Sequence, residues 1–426
     1  MKAIGIDIGT TSICGVLIDA ETGSVIKSTA KNSNAFLSGC APWEKAQSVD
    51  KIISAASEIL ESFIDKSVAA IGVTGQMHGI LYTDLKGSAV SPLYTWQDGR
   101  GNLPYNGTTY AKHLGSFSGY GNVTDFYNRQ NGIRPSSAAY HCTIQDCFVM
   151  RLCAIDKPIM HSSNAASLGC YNLKQNKFDY PYEGEITTEY AVAGTYKNIP
   201  VSVAIGDNQA SVFSTLKNET DVLINVGTGS QISTVSSRPV TSPEIETRPY
   251  FENKYLLVGA ALCGGRAYSV LKDLYSEIIN YAAKTDSDEV YGIMDKMLLN
   301  ATSSSLRADT RFAGTRLSEE TCGSITGITT ENFTAANLTN AVLCGMADEL
   351  LYMYRQMETK SSGVVGSGNG IRKNAALIRI FEEKLNSKMK IPAHLEEAAF
   401  GAALFALISC KAFKNAAEAQ KLIKYI

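Results

Sequence analysis

The strongest constraint on this chain is a pattern that comes twice: an apolar strand, a glycine-bearing turn, and a second strand. The first copy is IGIDIGTTS, residues 4–12, and the second is NVGTGSQ, residues 225–231. Their turns, at Gly9 and Gly227, stand 218 residues apart in a chain of 426. In the first copy Ile4, Ile6 and Ile8 alternate along a strand, and apolar runs at 13–18 and 25–29 complete an antiparallel meander of three strands. In the second, a strand over 221–226 turns at Gly227 into another over 231–235. Recurrence at half the chain length predicts one architectural unit duplicated, with domains at 1–213 and 214–426.

Helical spacing follows each meander. Val49, Ile52, Ile53, Ala56, Ile59, Leu60 and Phe63 recur at a helical period, as do helices expected over 265–283, 335–357, up to about 388, and beyond Glu396. Strands are expected at 68–73, 80–83 and 201–205. Sheet and helix mix in both halves, so the class is α/β. Residues 101–122, rich in Gly, Ser, Asn and Tyr, read as a long surface excursion, and 302–330 as a polar loop.

Composition excludes several functions. Lys plus Arg (39) and Asp plus Glu (41) nearly cancel and form no block of like charge, which argues against a nucleic-acid partner. The longest apolar run, FGAALFALI, is far short of the roughly 18 residues that a membrane span needs. Asp7 and the polar Thr10, Thr11 and Ser12 interrupt any signal-peptide core. Ten cysteines without a CxxC pair read as reduced residues of a cytoplasmic protein, with no activating partner for Cys263, Cys322 or Cys344.

The turns carry the chemistry. Asp-x-Gly-Thr-Thr sets a carboxylate beside backbone amides and hydroxyls that converge on one spot, which suits a phosphate and its metal ion as well as an ordinary hairpin. NVGTGSQ repeats the turn, and two such loops would hold a triphosphate from both sides. GSGNGIRKN, residues 366–374, lacks the acidic residue of a dinucleotide fingerprint and fits an adenosine-packing or structural turn. No Walker A or protein-kinase motif occurs.

The order of IGIDIGTTS, GQMHG (75–79), WQDGR (96–100), GDNQA (206–210), NVGTGSQ, GSGNG and EEAAFGAAL (396–404) resembles the FGGY carbohydrate kinase family of the actin-like ATPase superfamily. GQMHG and WQDGR are shared with its xylulose kinases. Residues 143–172, together with YTWQDGR and SGYG (118–121), are more similar to its sedoheptulose-phosphorylating branch. The resemblance implies two actin-like, ribonuclease H-like domains with a deep cleft between them. It implies ATP-dependent phosphorylation of the terminal primary hydroxyl of a ketose, sedoheptulose first and a pentulose second.

By that resemblance Asp207 is the general base and Asp7 holds Mg²⁺ through water. Thr10, Thr11, Ser12, Thr228 and Gly229 contact phosphate, while Gly265, Ser269, Gly368 and Asn369 stand on the nucleotide side. Gln76, Met77, His78, Trp96, Asp98 and Asn208 face the sugar, Trp96 with a flat apolar surface and Asp98 as an acceptor for hydroxyls. The excursion 101–122 serves the sugar end or a homodimer contact. Where the family usually carries Lys or Arg, two residues after Ser12, this chain has Cys14, with Arg266 or Arg372 as candidate replacements. That departure also raises the reading of a non-catalytic sugar sensor.

Overall fold

The computed structural model describes residues 1–283, 289–302, 304–315, 318 and 320–426. Positions 303, 316, 317 and 319 of the expected polar loop lie outside the described residues. Two compact units make up the chain. One comprises Met1–Lys217, Arg248–Lys254 and His394–Lys424, the other Asn218–Thr247, Tyr255–Ala393 and Tyr425–Ile426.

In the first unit Lys2–Ile8 lies inside a seven-stranded sheet. To one side run Ser12–Asp19 and then Val25–Asn32, both antiparallel, which is the expected meander. To the other side run Val68–Gly75 and then Ile199–Ser202, both parallel, with Val192–Tyr196 antiparallel at the edge and Ile205–Gly206 also paired to Val68–Gly75. Alternation splits the central strand between two helices. Ile4, Ile6 and Ile8 share a core with Ile52, Ile59 and Leu60 of the helix Val49–Glu61.

The opposite face is built for close approach. Gly5 and Gly72 are register partners, and a Cβ on either would meet the carbonyl oxygen of Ala399 or Ala402 at under 2 Å, 1.8 and 1.9 Å respectively. Only bare backbone lets the helix Glu397–Ser409 settle there. That helix is buried from Ala399 to Ser409 and packs also on Asp207–Thr215, where Gly401 abuts the carbonyl of Ala210. The domain division expected at 213/214 therefore differs from the compact units, because residues 394–424 pack with the first sheet. A run that is apolar on every face carries no sign of which sheet it covers.

In the second unit Val222–Val226 pairs antiparallel with Ser230–Ser236, which pairs antiparallel with Tyr255–Ala261. On its other side Val364–Ser367 and then Met389–Lys390 run parallel. Sheet order and strand direction repeat those of the first unit: a meander of three, then two parallel strands beside its first member. The helices Gly264–Ala283 and Ala335–Gln356 pack against this sheet around Leu271, Tyr275, Leu343 and Leu350.

The excursion 101–122 is less of a surface loop than its composition predicts. It forms a hairpin, Pro104–Tyr105 with Thr108–Thr109, and a short helix Tyr110–His113. Tyr110 and Ala111 join Val123 in a small core of their own, edged by the rings of Tyr105, tilted against Tyr110, and Phe126, edge-on to it.

Candidate active site

Three strand ends meet in the first unit. Asp7 lies opposite Thr74 in parallel register, and Gly206 opposite Gly75. Ligands of open α/β sheets bind outside the carboxyl ends of strands, and here those ends deliver Asp7, Gln76 to His78, and Asp207.

Asp207 opens the helix Asp207–Thr215, so its carboxylate sits at the positive end of the helix dipole. Burial pushes the group up to about 6, while the Arg248 guanidinium and the N–H groups of Asn208 and Asp207 pull the other way. A carboxylate poised there is ionised at neutral pH yet basic enough to accept a proton.

Asp7 is more strained electrostatically. Its Oδ1 is buried with no hydrogen-bond partner. Burial, then the charges of Asp207 and Glu396, push it up to about 8. Cys14, its register partner on the next strand, is pushed up to about 12 by burial and by Glu396 and Asp7, so it stays a neutral thiol. The missing cation is not replaced from the first turn. Arg266 and Arg372 both belong to the second unit.

A ring of hydrogen bonds ties the first turn to the expected sugar side. Thr10 Oγ1 accepts from Trp96 Nε1 (2.9 Å) and donates to Gln76 Oε1 (3.3 Å). Gln76 Nε2 donates to Gln47 Oε1 (3.0 Å), and Gln47 Nε2 returns to the Thr10 carbonyl (2.7 Å). Thr10 is thus committed to this ring, whereas Thr11 and Ser12 are exposed. Trp96 keeps 47% of its surface open despite its bond to Thr10.

Met77 is buried under the base turn: a Cβ on Gly206 would come within 3.1 Å of its Sδ and Cε. Arg248 Nη1 lies 4.0 Å from that sulfur and donates to Asn208 Oδ1 at 3.1 Å. Met77, Asn208, Asp207 and Arg248 therefore form one group, and Arg248 is a member that no sequence motif announced.

His78 holds a left-handed backbone, φ 73°, which costs a non-glycine residue about 1 kcal/mol. Its ring stacks on Tyr120 at 4.3 Å, and its Nδ1 lies 2.7 Å from the Ser167 carbonyl. A carbonyl only accepts, so Nδ1 carries the proton and Nε2 is the acceptor of the neutral ring.

Asp98 departs from its expected part. Its Oδ1 accepts from the Arg100 backbone N–H (3.1 Å) and Nε (2.6 Å), and its Oδ2 from Arg100 Nη2 (3.1 Å) and the Lys45 N–H (3.1 Å). A carboxylate offers about four lone pairs, and these bonds use them all. Arg100 is itself fully buried, lies over Tyr94 at 4.1 Å, and also bonds Asn128 and Glu44. WQDGR is an internally paired anchor that presents Trp96, not a hydroxyl acceptor.

In the second unit Val226 to Thr228, Gly265, Ser269, Gly368 and Asn369 line a cavity of about 880 Å³. Of the expected nucleotide-side positions in this unit, only Gly229 falls outside that lining. The Gly265 and Arg266 N–H groups donate to the Gly227 and Thr228 carbonyls at 3.0 Å, which fixes the turn on the start of Gly264–Ala283. A Cβ on Gly265 would lie 2.4 Å from the Gly227 oxygen. Gly368 has φ 80° and abuts the Val226 backbone, so both glycines are demanded by geometry. Tyr268, Leu343 and Met346 give the cavity an apolar side wide enough for a flat ring.

The N-terminal domain of the FGGY family of carbohydrate kinases matches residues 2–104, and the C-terminal domain of that family matches residues 222–410. Sedoheptulokinase of Mus musculus is 29% identical over 95% of this chain and 97% of its own length, and that of Homo sapiens 27% over the same shares. A xylulose kinase of Staphylococcus epidermidis is 22% identical over 97% of this chain and 88% of its own. Among solved structures, gluconate kinase from Lactobacillus acidophilus has the same fold, with a TM-score of 0.84 at 19% identity, covering 100% of this chain and 92% of that one.

Proposed function

We propose that this chain, which belongs to the FGGY family of carbohydrate kinases and is a sugar kinase, transfers the γ-phosphoryl group of ATP to the terminal primary hydroxyl of a ketose, sedoheptulose before any pentulose. The observation that carries the reading is the group Met77, His78, Asp207, Asn208 and Arg248 at the strand ends of the first unit.

Asp207 accepts the proton of the attacking hydroxyl, and the new bond forms from that oxygen to the γ-phosphorus as the bond to the ADP oxygen breaks. Arg248 fixes the amide of Asn208 beside the base by donating to its Oδ1. His78 Nε2 accepts from a sugar hydroxyl, and Trp96 covers an apolar face of the sugar. The second unit binds the nucleotide in the cavity at Gly227, Gly265 and Gly368. Thr11, Ser12, Thr228 and Gly229 contact phosphate.

A divalent cation fits Asp7. Its buried Oδ1 lacks a partner, and two further carboxylates raise the local negative potential. Among the described residues no three His, Cys, Asp or Glu side chains converge on one point, so Mg²⁺ would keep water and phosphate as most of its ligands. Bound there, it supplies charge neutralisation for the phosphates. The ion matters more in a chain whose neighbouring position holds the neutral Cys14.

Sequence similarity to two sedoheptulokinases supports the seven-carbon acceptor, and the GQMHG and WQDGR likeness to xylulose kinases keeps a pentulose as the second reading. Steady-state kinetics on sedoheptulose, xylulose and ribulose decide between them. The expected result is the highest kcat/KM for sedoheptulose, and a clear preference for a pentulose overturns the choice of substrate.

A further inference from the structure

The segment His161 to Gly169 holds no residue with a part in the chemistry above, yet its polar side chains are buried: Ser163 and Asn164 entirely, Ser167 nearly so. Their bonds run to two places. Ser163 Oγ accepts the N–H of Gly206 at 3.0 Å and lies 2.8 Å from His161 Nδ1. That nitrogen already accepts the Ser163 N–H, so the hydroxyl donates to it and offers its lone pair to Gly206. Asn164 Nδ2 donates to the Ala204 carbonyl at 3.1 Å, with Oδ1 held by Gln145 at 3.0 Å. These bonds fix the peptide groups on both sides of Ile205, in the strand immediately before Asp207.

Three residues on, Ser167 holds His78. Its Oγ accepts the His78 N–H at 3.1 Å while donating to the Asn164 carbonyl at 2.7 Å, and its own carbonyl takes Nδ1–H. That double hold stabilises the left-handed backbone of His78 and fixes its tautomer.

We infer that Ser163, Asn164 and Ser167 form a positioning clamp that sets the separation between Asp207 and His78, and so selects which hydroxyl of a bound ketose meets the base. The inference rests on the proposed kinase reading. It predicts a split within one short segment: Ser163 acts through the base and governs kcat, whereas Ser167 acts through the imidazole and governs sugar affinity.

The test is a pair of double-mutant cycles on the full chain, with turnover from a sensitive phosphoryl-transfer assay and ketose affinity from calorimetry. Ser163→Ala leaves a buried N–H unpaired, and kcat should fall about tenfold with ketose affinity within about twofold. In an Asp207→Asn background the same change should cost nothing further, because its effect passes through Asp207. Ser167→Ala should weaken ketose binding about tenfold, and this loss should vanish in a His78→Ala background. If Ser163→Ala does not fold, Ser163→Cys, of similar volume and weak as an acceptor, takes its place in the cycle. Additive losses in both cycles, or parallel loss of kcat and affinity in each single variant, overturn the clamp. A wild-type chain that phosphorylates no ketose overturns the kinase reading and the clamp with it, while normal wild-type turnover with unaltered variants overturns the clamp alone.

Discussion

The two units are copies of one frame put to different uses, and the divergence is sharpest at the end of the central strand. Asp7 in the first unit and Asn225 in the second occupy equivalent positions, two residues before the glycine of the turn. In parallel register Asp7 lies opposite Thr74 and Asn225 opposite Ser367. Asn225 Nδ2 donates to Ser367 Oγ at 2.7 Å and is satisfied within the fold. Asp7 has an unpartnered oxygen and carboxylate neighbours. One copy pairs its polar side chain within the fold, and the other leaves a carboxylate oxygen unpaired, the oxygen that the proposed reading gives to a metal ion. The open copy accepts a stability cost that the closed one avoids.

The largest effect should come from Asp207, the expected base of the first unit. Asp207→Asn keeps the shape of the turn but removes the proton acceptor, so kcat should fall about 10³-fold with ketose affinity preserved. Near-normal turnover in that variant removes Asp207 from the role of base. The wild-type pH profile bears on the same point. With Asp207 pushed up to about 6 by burial, kcat/KM should fall as pH drops below that value, because only the ionised carboxylate accepts a proton. A profile flat down to pH 5 breaks the assignment.

Asp7→Asn makes the first unit like the second at this position. Turnover should fall about 10²-fold and the Mg²⁺ requirement should rise, since one charged ligand is lost. Stability should move the opposite way. A carboxyl whose folded-state value is raised to about 8 favours the native state only while protonated, so its contribution is lost as pH rises toward 8. In metal-free protein the variant should therefore melt higher than wild type at pH 8, with the gap narrowing toward pH 5. Equal melting temperatures across that range would mean that Asp7 is not the open group.

The frame was largely legible in the chain because turns and alternation are local. The meanders, the paired glycine turns and the position of Asp207 at a strand end all follow from patterns a few residues long. What was not legible depends on partners far apart in sequence. Asp98 looks like a free acceptor until Arg100 and the Lys45 N–H are placed around it. Arg248 stands outside every motif, and reaches the site only because the segment 248–254 joins the first unit. The run HSSNAAS did carry a signal, since five polar residues in a stretch of seven demand internal bonds once it is buried. Its two destinations are 40 and 89 residues away from it, beyond the reach of any local pattern.

A smaller effect should follow in the second unit from Gly265→Ala. The added Cβ would lie 2.4 Å from the Gly227 oxygen, so the turn must shift by several tenths of an ångström. KM for ATP should rise about tenfold while ketose affinity, measured by calorimetry, stays unchanged. A change in ketose affinity instead would detach this turn from the nucleotide.

The smallest and most discriminating change is the reverse exchange, Asn225→Asp. It gives the second unit the carboxylate of the first without adding volume. The bond to Ser367 need not be lost, because the serine hydroxyl can rotate and donate where it formerly accepted. The cost is then mainly one extra negative charge beside a turn expected to meet phosphate. KM for ATP should rise about threefold with kcat within about twofold, and the rise should shrink at higher Mg²⁺ as the nucleotide's charge is neutralised. If the substitution instead abolished turnover as Asp7→Asn is expected to impair it, the two positions would be doing the same work. The contrast between an open copy and a closed one would then fail. If it changed nothing, the turn at Gly227 would lie farther from the phosphates than the duplicated frame implies, and the 880 Å³ cavity would serve the nucleoside end alone.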